Sequence, residues 1–220
     1  MNILIKFPSR GRPERFKSTL LNHLRHLSGK HKIKFVFSFD EDDITMNNDD
    51  IRQFLKNLKI DYKVYYGKSK NKIEAINADM NHKRFDILIL IADDMIPSME
   101  NYDDTICNIF QNAEHGLDST IHFNTTMWAD ILDVWCIMGK KYYDRFKYIY
   151  NPEYKTINCD NEYTEVATML NRRIFSELMP FQHHHQTGDD TEVRNWYFNN
   201  EDGVTYHRRK EKNFYINLKK

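Results

Sequence analysis

Two rhythms of apolar residues alternate along the amino-terminal half of the chain. Compact runs of large apolar side chains suit strands, and apolar residues three and four apart suit helices. Ile3 to Pro8 reads as a strand. Pro13 and Glu14 then open a helix that turns Phe16, Leu20, Leu24 and Leu27 to one face, proline being suited to a first helical turn. Ile33 to Phe39 predicts a second strand, which runs into Asp40, Glu41, Asp42 and Asp43. A helix carrying Ile51, Phe54, Leu55 and Leu58 follows, then a strand over Tyr62 to Tyr66 and a helix over Lys72 to Met80 with Ile73, Ile76 and Met80 inward. Next comes an unbroken aliphatic run, Ile87 to Ile91. A strand of that kind is buried on both faces, as in parallel sheets covered by helices. The order is βαβαβαβ, whose crossovers are right-handed and whose sheet is mostly parallel.

Beyond Pro97 the pattern loosens. Tyr102 to Ala113 reads as a helix, Thr120 to Asn124 and Ile131 to Met138 as strands, and Asp160 to Arg173 as a helix with Tyr163, Val166, Ala167 and Leu170 inward. The tail from Gln182 to Lys220 is polar and rich in His, Asp, Asn and aromatic residues, and reads as a carboxyl-terminal elaboration. The 220 residues suffice for one well-filled α/β domain, so a single domain over 1–220 is expected.

Lys plus Arg and Asp plus Glu both total 32, so no global field favours nucleic acid or acidic membranes. The three cysteines, Cys107, Cys136 and Cys159, match no metal spacing and suit buried positions in a reducing compartment. Ile3 to Phe7 is too short for a signal peptide, and no segment approaches the roughly 18 to 20 apolar residues of a membrane span. A soluble cytoplasmic protein is expected.

Candidate chemistry concentrates where the strands end. The aliphatic run stops on Asp93 and Asp94, and ligands of parallel sheets sit at the carboxyl ends of their strands. Hard cations such as Mg and Mn take carboxylate oxygen with waters and substrate phosphates completing the shell. Side chains alternate in extended backbone, so one aspartate would face the metal and the other a neighbouring hydroxyl. Pro8, Ser9, Arg10, Gly11, Arg12 and Pro13 lie between the first strand and first helix. There, backbone donors and arginine forks can meet phosphate or a base, although a solvated turn would use the same residues. Asn77 sits on the apolar face of its helix, where a buried amide needs partners. It either satisfies the core or steadies the adjacent loop.

Together these elements resemble the GT-A glycosyltransferases, specifically the family 2-like group. The resemblance rests on Pro8 to Pro13, on Gly67 and Lys68 leading through Lys72 to Ala75, Ile76 and Asn77, and on the strand ending in Asp93 and Asp94. It covers roughly the first hundred residues, and it implies a Rossmann-like sheet with helices on both faces. Residues 1–97 then form the nucleotide-sugar-binding half, and 98–220 the acceptor-binding and catalytic half. The family's D-x-D element takes an x-D-D form here, with Ala92 in the first position. The resemblance gives Asp94 the role of metal ligand, with Mn or Mg as cofactor, and Asp40 that of nucleobase contact. It places Pro8, Ser9, Arg10, Arg12, Lys72, Asn77 and Asp93 on the donor, expected to be a UDP-sugar.

The carboxyl half resembles small phage-type glycosyltransferases. Asp160, Asn161 and Glu162 look like the acidic element that supplies the base, and the run His183 to His185 like the late histidine of the metal site. A helix N-terminus keeps a carboxylate ionised, and only one of Asp160 and Glu162 need act. If extended, His183 and His185 share a face. Asp189, Asp190, Asp202 and Arg208 carry the charges of a segment that closes over donor. Transfer with inversion to a hydroxyl acceptor is implied, and phage relatives point to hydroxymethylated pyrimidines in DNA as one acceptor.

Trp128, Trp135, Tyr142, Tyr143, Trp196 and Tyr197 are candidate stacking surfaces. Lys68 to Lys72, Lys140 with Lys141, and Arg208 to Lys212 are candidate phosphate contacts. A sugar nucleotidyltransferase would need more glycine after the first strand than Gly11. A non-catalytic nucleotide-sugar-binding module would keep the sheet without turnover.

Overall fold

The computed structural model describes residues 1–81, 84–125, 130–184, 193 and 197–216. Nine strands and seven helices are used below: β1 (Asn2–Pro8), α1 (Pro13–Arg25), β2 (Lys32–Asp40), α2 (Asp49–Asn57), β3 (Tyr62–Gly67), α3 (Lys72–Asn77), β4 (Ile87–Leu90), β5 (Met95–Pro97), α4 (Tyr102–Asn112), β6 (Thr120–Phe123), β7 (Ile137–Gly139), α5 (Lys140–Phe146), α6 (Cys159–Met169), β8 (Arg173–Ser176), β9 (Phe181–His183) and α7 (Asn199–Lys210). A seven-stranded sheet has the order β3-β2-β1-β4-β7-β6-β8. Every neighbouring pair is parallel except β4 with β7 and β7 with β6, so β7 alone runs against the rest.

Alternation along the central strands sends side chains into two cores. Ile3, Ile5 and Phe7 of β1, Phe35, Phe37 and Phe39 of β2, and Ile87 and Ile89 of β4 pack with Phe16 and Leu20 of α1, Ile51 and Leu55 of α2, and Ile106 and Phe110 of α4. On the opposite face Leu4, Val36, Leu88 and Met138 meet Ile73 and Ile76 of α3, Tyr142 and Tyr143 of α5, and Tyr163 and Ala167 of α6. The expected mostly parallel α/β sheet with helices on both faces is therefore observed.

Three expected elements differ. Strand pairing around residue 131 begins only near Cys136, whose carbonyl accepts from the Leu90 amide; β7 itself starts at Ile137. Ahead of it Asp133 is drawn into side-chain contacts: its amide donates to Thr164 Oγ1 and its carboxylate binds Arg173 and His122. The helix opening at Lys72 stops at Asn77, because Asp79 takes a left-handed conformation (φ 62°) and Lys6 Nζ captures the Ala78 carbonyl at 2.8 Å. The helix after Cys159 ends at Met169, closed by left-handed Asn171, and Arg173 opens β8 instead. Among the described residues no helix is long and apolar enough to cross a membrane.

Candidate active site

The carboxyl ends of β1, β2 and β4 open into a cavity of about 440 Å³. Its far wall comes from the loop before β7, from the segment preceding α6 and from Phe198. Pro8, Ser9, Arg10, Arg12, Asp40, Lys72, Asp93, Asp94, Asp160 and His183 all line it. Residues named from opposite ends of the sequence thus meet in one space.

At the β1 and β2 tips, Arg10 Nη1 donates to Asp40 Oδ2 at 2.5 Å and to Asp42 Oδ1 at 2.7 Å. Those contacts, Asp42 foremost, hold the guanidinium pKa above its ordinary value. Gly11, with φ 71°, turns its amide onto Asp43 Oδ2 at 2.7 Å, which folds the turn back against the β2 carboxylates. The Ser69 amide reaches Asp40 Oδ1 at 3.3 Å. Asp40 is thereby a fixed acceptor at the rim.

Asp93 and Asp94 sit in a turn between β4 and β5, closed by the Met95 amide on the Ala92 carbonyl at 3.1 Å, and they point to different partners. Asp93 is buried and pairs with Arg12 Nη1 at 3.0 Å. Burial raises its pKa against the opposing pull of Arg12. Its expected donor contact is thus shared with an ion pair. Asp94 faces His183, whose Nε2 lies 3.3 Å from Oδ2. Burial pushes the Asp94 pKa up, but the hydrogen bond and charge of His183, with Lys72 and Arg15, outweigh it and leave it lowered. The pairing has a structural cause: β9 runs antiparallel to β5, with His183 opposite Met95, and the His184 amide donates to the Asp94 carbonyl at 2.8 Å. Arg15 Nη2 ties the same segment down through the His184 carbonyl at 3.1 Å. No group of three or more His, Cys, Asp or Glu side chains converges as a metal cluster among the described residues. Asp94 with His183 still suits a hard cation that takes few protein ligands and completes its shell with phosphate oxygen and water. His185, Trp128, Trp196, Asp189 and Asp190 lie outside the described residues.

Asp160, in the first turn of α6, lines the part of the cavity that the carboxyl half builds. Desolvation raises its pKa, opposed by Lys72 and by the Asn161 amide, which donates to Oδ1 at 3.0 Å. Lys72 acts electrostatically on both Asp94 and Asp160. Glu162 is a correction to the sequence expectation: it does not line the cavity. The residue is 4% exposed, and its carboxylate accepts from Arg209 Nε at 2.7 Å and Nη2 at 2.9 Å, from Tyr154 at 2.8 Å and from Asn151 at 3.1 Å. Two acids of opposite circumstance thus share the first turn of α6. Asn77 also stays off the cavity: its Oδ1 accepts from the Ile149 and Tyr150 amides and its Nδ2 donates to the Tyr150 carbonyl. It steadies Tyr150, which does line the cavity.

Of the aromatic candidates, Trp135 lines the cavity, Tyr142 and Tyr143 are buried in the core, and Tyr197 is exposed. The basic candidates are largely engaged within the protein. Arg208 pairs with Glu153, Arg209 with Glu162, Lys210 with Glu165, Lys140 with Asp144 and Lys68 with Glu41. Asp202, which the sequence suggests for a closing segment, is buried instead. Oδ2 accepts from the Thr156 and Ile157 amides at 2.8 and 2.9 Å, and Oδ1 from the Lys155 amide at 2.9 Å. Ser38, Thr156, Ile157 and Phe198 line the cavity without having been expected there. None follows a charged or glycine motif, so no local signal marks them.

Solved glycosyltransferase structures share this fold. The mannosyltransferase PcManGT from Pyrobaculum calidifontis, in complex with GDP-Man and Mn2+, superposes with a TM-score of 0.69 at 10% identity, over 96% of this chain and 64% of that one. TarS 1-349 from S. aureus in complex with UDP-GlcNAc gives 0.62 at 12% identity, over 87% of this chain and 60% of that one. The fold is GT-A. At such identities the likeness is one of fold, and this chain spans about three-fifths of the length of those structures. No family model matches the GT-A chain and no curated protein matches it in sequence.

Proposed function

We propose that the chain is a metal-dependent glycosyltransferase that moves a sugar from a nucleotide-sugar donor to a hydroxyl acceptor. The observation that carries this reading is the single cavity that sets Asp94 and His183 on one wall and Asp160 on the other, with Lys72 acting on both sides. Two solved structures of the same fold contain UDP-GlcNAc and GDP-Man, which supports a nucleotide sugar as donor.

In this reading Pro8, Ser9 and the Arg10–Asp40 pair hold the nucleoside at the β1 and β2 tips. Asp94 and His183 would hold Mn or Mg, which supplies Lewis-acid neutralisation of the leaving diphosphate when bound. Asp160 accepts the acceptor's hydroxyl proton. The acceptor oxygen bonds to the anomeric carbon as the carbon–phosphate oxygen bond breaks, and the electron pair departs on the nucleoside diphosphate. Attack from the wall facing the diphosphate inverts the anomeric centre. The raised Asp160 pKa makes its carboxylate a better proton acceptor than a solvated aspartate.

A screen of UDP- and GDP-sugars for Mn- or Mg-dependent release of nucleoside diphosphate tests the reading. Release that disappears on chelation is the expected result. Pyrophosphate formed from a nucleoside triphosphate and a sugar phosphate would replace it with a nucleotidyltransferase. Donor binding with neither transfer nor hydrolysis would replace it with a binding module.

A further inference from the structure

The two walls of the cavity differ in chemistry. On the donor side each carboxylate has a basic or imidazole neighbour: Asp40 has Arg10, Asp93 has Arg12 and Asp94 has His183. The lining that the carboxyl half contributes beside Asp160 is largely apolar, formed by Leu132, Val134, Trp135, Tyr150, Ile157 and Phe198, with Thr156 adding a hydroxyl. These residues gather there for traceable reasons. Thr164 Oγ1 accepts from the Asp133 amide and donates to the Asp160 carbonyl, which ties the loop carrying Leu132 and Val134 to the first turn of α6. Asn77 fixes Tyr150, and Asp202 fixes Ile157. Phe198 lies beneath the Lys155 ammonium at 4.9 Å, and that ammonium is paired with Glu201.

Charge on this wall limits what can bind. Among the described lining residues the cations are Arg10, Arg12 and Lys72; both arginines are in ion pairs on the donor side, and Lys72 already serves Asp94 and Asp160. A phosphate on the acceptor would therefore sit beside the Asp160 carboxylate and a nucleoside diphosphate and would compete with both for Lys72. Like charges placed together in that way repel and suppress binding. A pyranose ring, by contrast, offers an apolar C–H face and neutral hydroxyls.

Resting on the transferase reading, we propose that the acceptor is a neutral saccharide, seated with its apolar ring face on the wall formed by Leu132, Val134, Trp135, Tyr150, Ile157 and Phe198 and with a hydroxyl at Asp160. Phosphate-bearing acceptors, hydroxymethylated DNA among them, are disfavoured at this site. The internal pairing of Arg208, Arg209 and Lys210 agrees with this selection.

Donor hydrolysis without added acceptor reads the transferase reading by itself. Acceptor choice is read separately, by comparing neutral glycosides with their phosphorylated counterparts and with hydroxymethylated DNA. Neutral glycosides are expected to give kcat/KM about tenfold or more above the matched phosphorylated compounds. Phe198→Ala should raise the acceptor KM about fivefold, and Phe198→Lys should move the ratio toward the phosphorylated acceptor. Equal or better use of phosphorylated acceptors or DNA, or an acceptor KM indifferent to both Phe198 variants, would overturn the proposal. If the protein does not turn over, saturation-transfer NMR of the same compounds with nucleoside diphosphate present reads the same preference. Stronger signals from the phosphorylated set would overturn it there.

Discussion

In the amino-terminal half the strands themselves deliver the site: Pro8 ends β1, Asp40 ends β2, and Leu90 ends β4 just before Asp93 and Asp94. In the carboxyl half loops deliver it, and polar side chains hold them: Asn77 holds Tyr150, Thr164 holds the loop before β7 through the Asp133 amide, and Asp202 holds residues 155–157. Backbone ladders make the first wall hard to move. The second depends on a few polar side chains, so one substitution can shift it. Donor chemistry and acceptor chemistry are therefore open to separate attack by mutation.

The largest effect is expected at the donor wall. Asp94→Ala should lower metal-dependent transfer about a thousandfold, and a titration of Mn against activity should show the loss of metal response. Full metal-dependent turnover in that variant would remove Asp94 from the site. Asp160→Asn should lower kcat about a hundredfold or more, with nucleoside diphosphate affinity little changed by calorimetry. Its stability should not fall. A carboxyl whose folded pKa is raised binds more protons folded than unfolded, so its contribution to stability decreases as pH rises through that value. At neutral pH, removing the charge relieves a cost, and the melting temperature should stay level or rise.

Glu162→Gln sharpens the contrast within one helix. Removing one partner of a buried ion pair costs about 3 kcal/mol or more, so denaturant melts should show the loss. Transfer measured well below the melting temperature should change far less than in Asp160→Asn. A base-like loss of kcat in Glu162→Gln without destabilisation would reverse the assignment. Asp202→Ala should lower kcat about tenfold by loosening the segment before Asp160, while nucleoside diphosphate binding at the other wall persists. The smallest expected effect is a pH profile: the acidic limb of kcat should lie above the ordinary aspartate value of 3.8, and activity should fall as pH drops through the raised Asp160 pKa.

The same division governs what could be read from sequence. Strands buried on both faces leave continuous apolar runs, and β1, β2 and β4 were legible for that reason, together with the carboxylates at their tips. Helix α7 was not, because its buried residues are Asp202 and Arg209, and a helix held by charged groups shows no apolar stripe. Strands β5 and β9 have three residues each, too few for a periodic signal, yet their pairing brings His183 to Asp94. Asp160 and Glu162 could not be told apart locally. Arg209, whose pairing with Glu162 sets the two apart, lies 47 residues beyond Glu162 in the chain.

The reversed direction of β7 has its own bearing on the chain as a material. That strand covers the open side of β4, pairing Ile87 with Gly139 and Ile89 with Ile137, and Gly139 fits there because a Cβ would lie 2.2 Å from the Leu117 carbonyl oxygen. A polypeptide cut after Pro97 would present Ile87, Leu88, Ile89 and Leu90 as a bare aliphatic edge. Such an edge recruits strands from other molecules, so the fragment should aggregate more readily than the full chain at matched concentration.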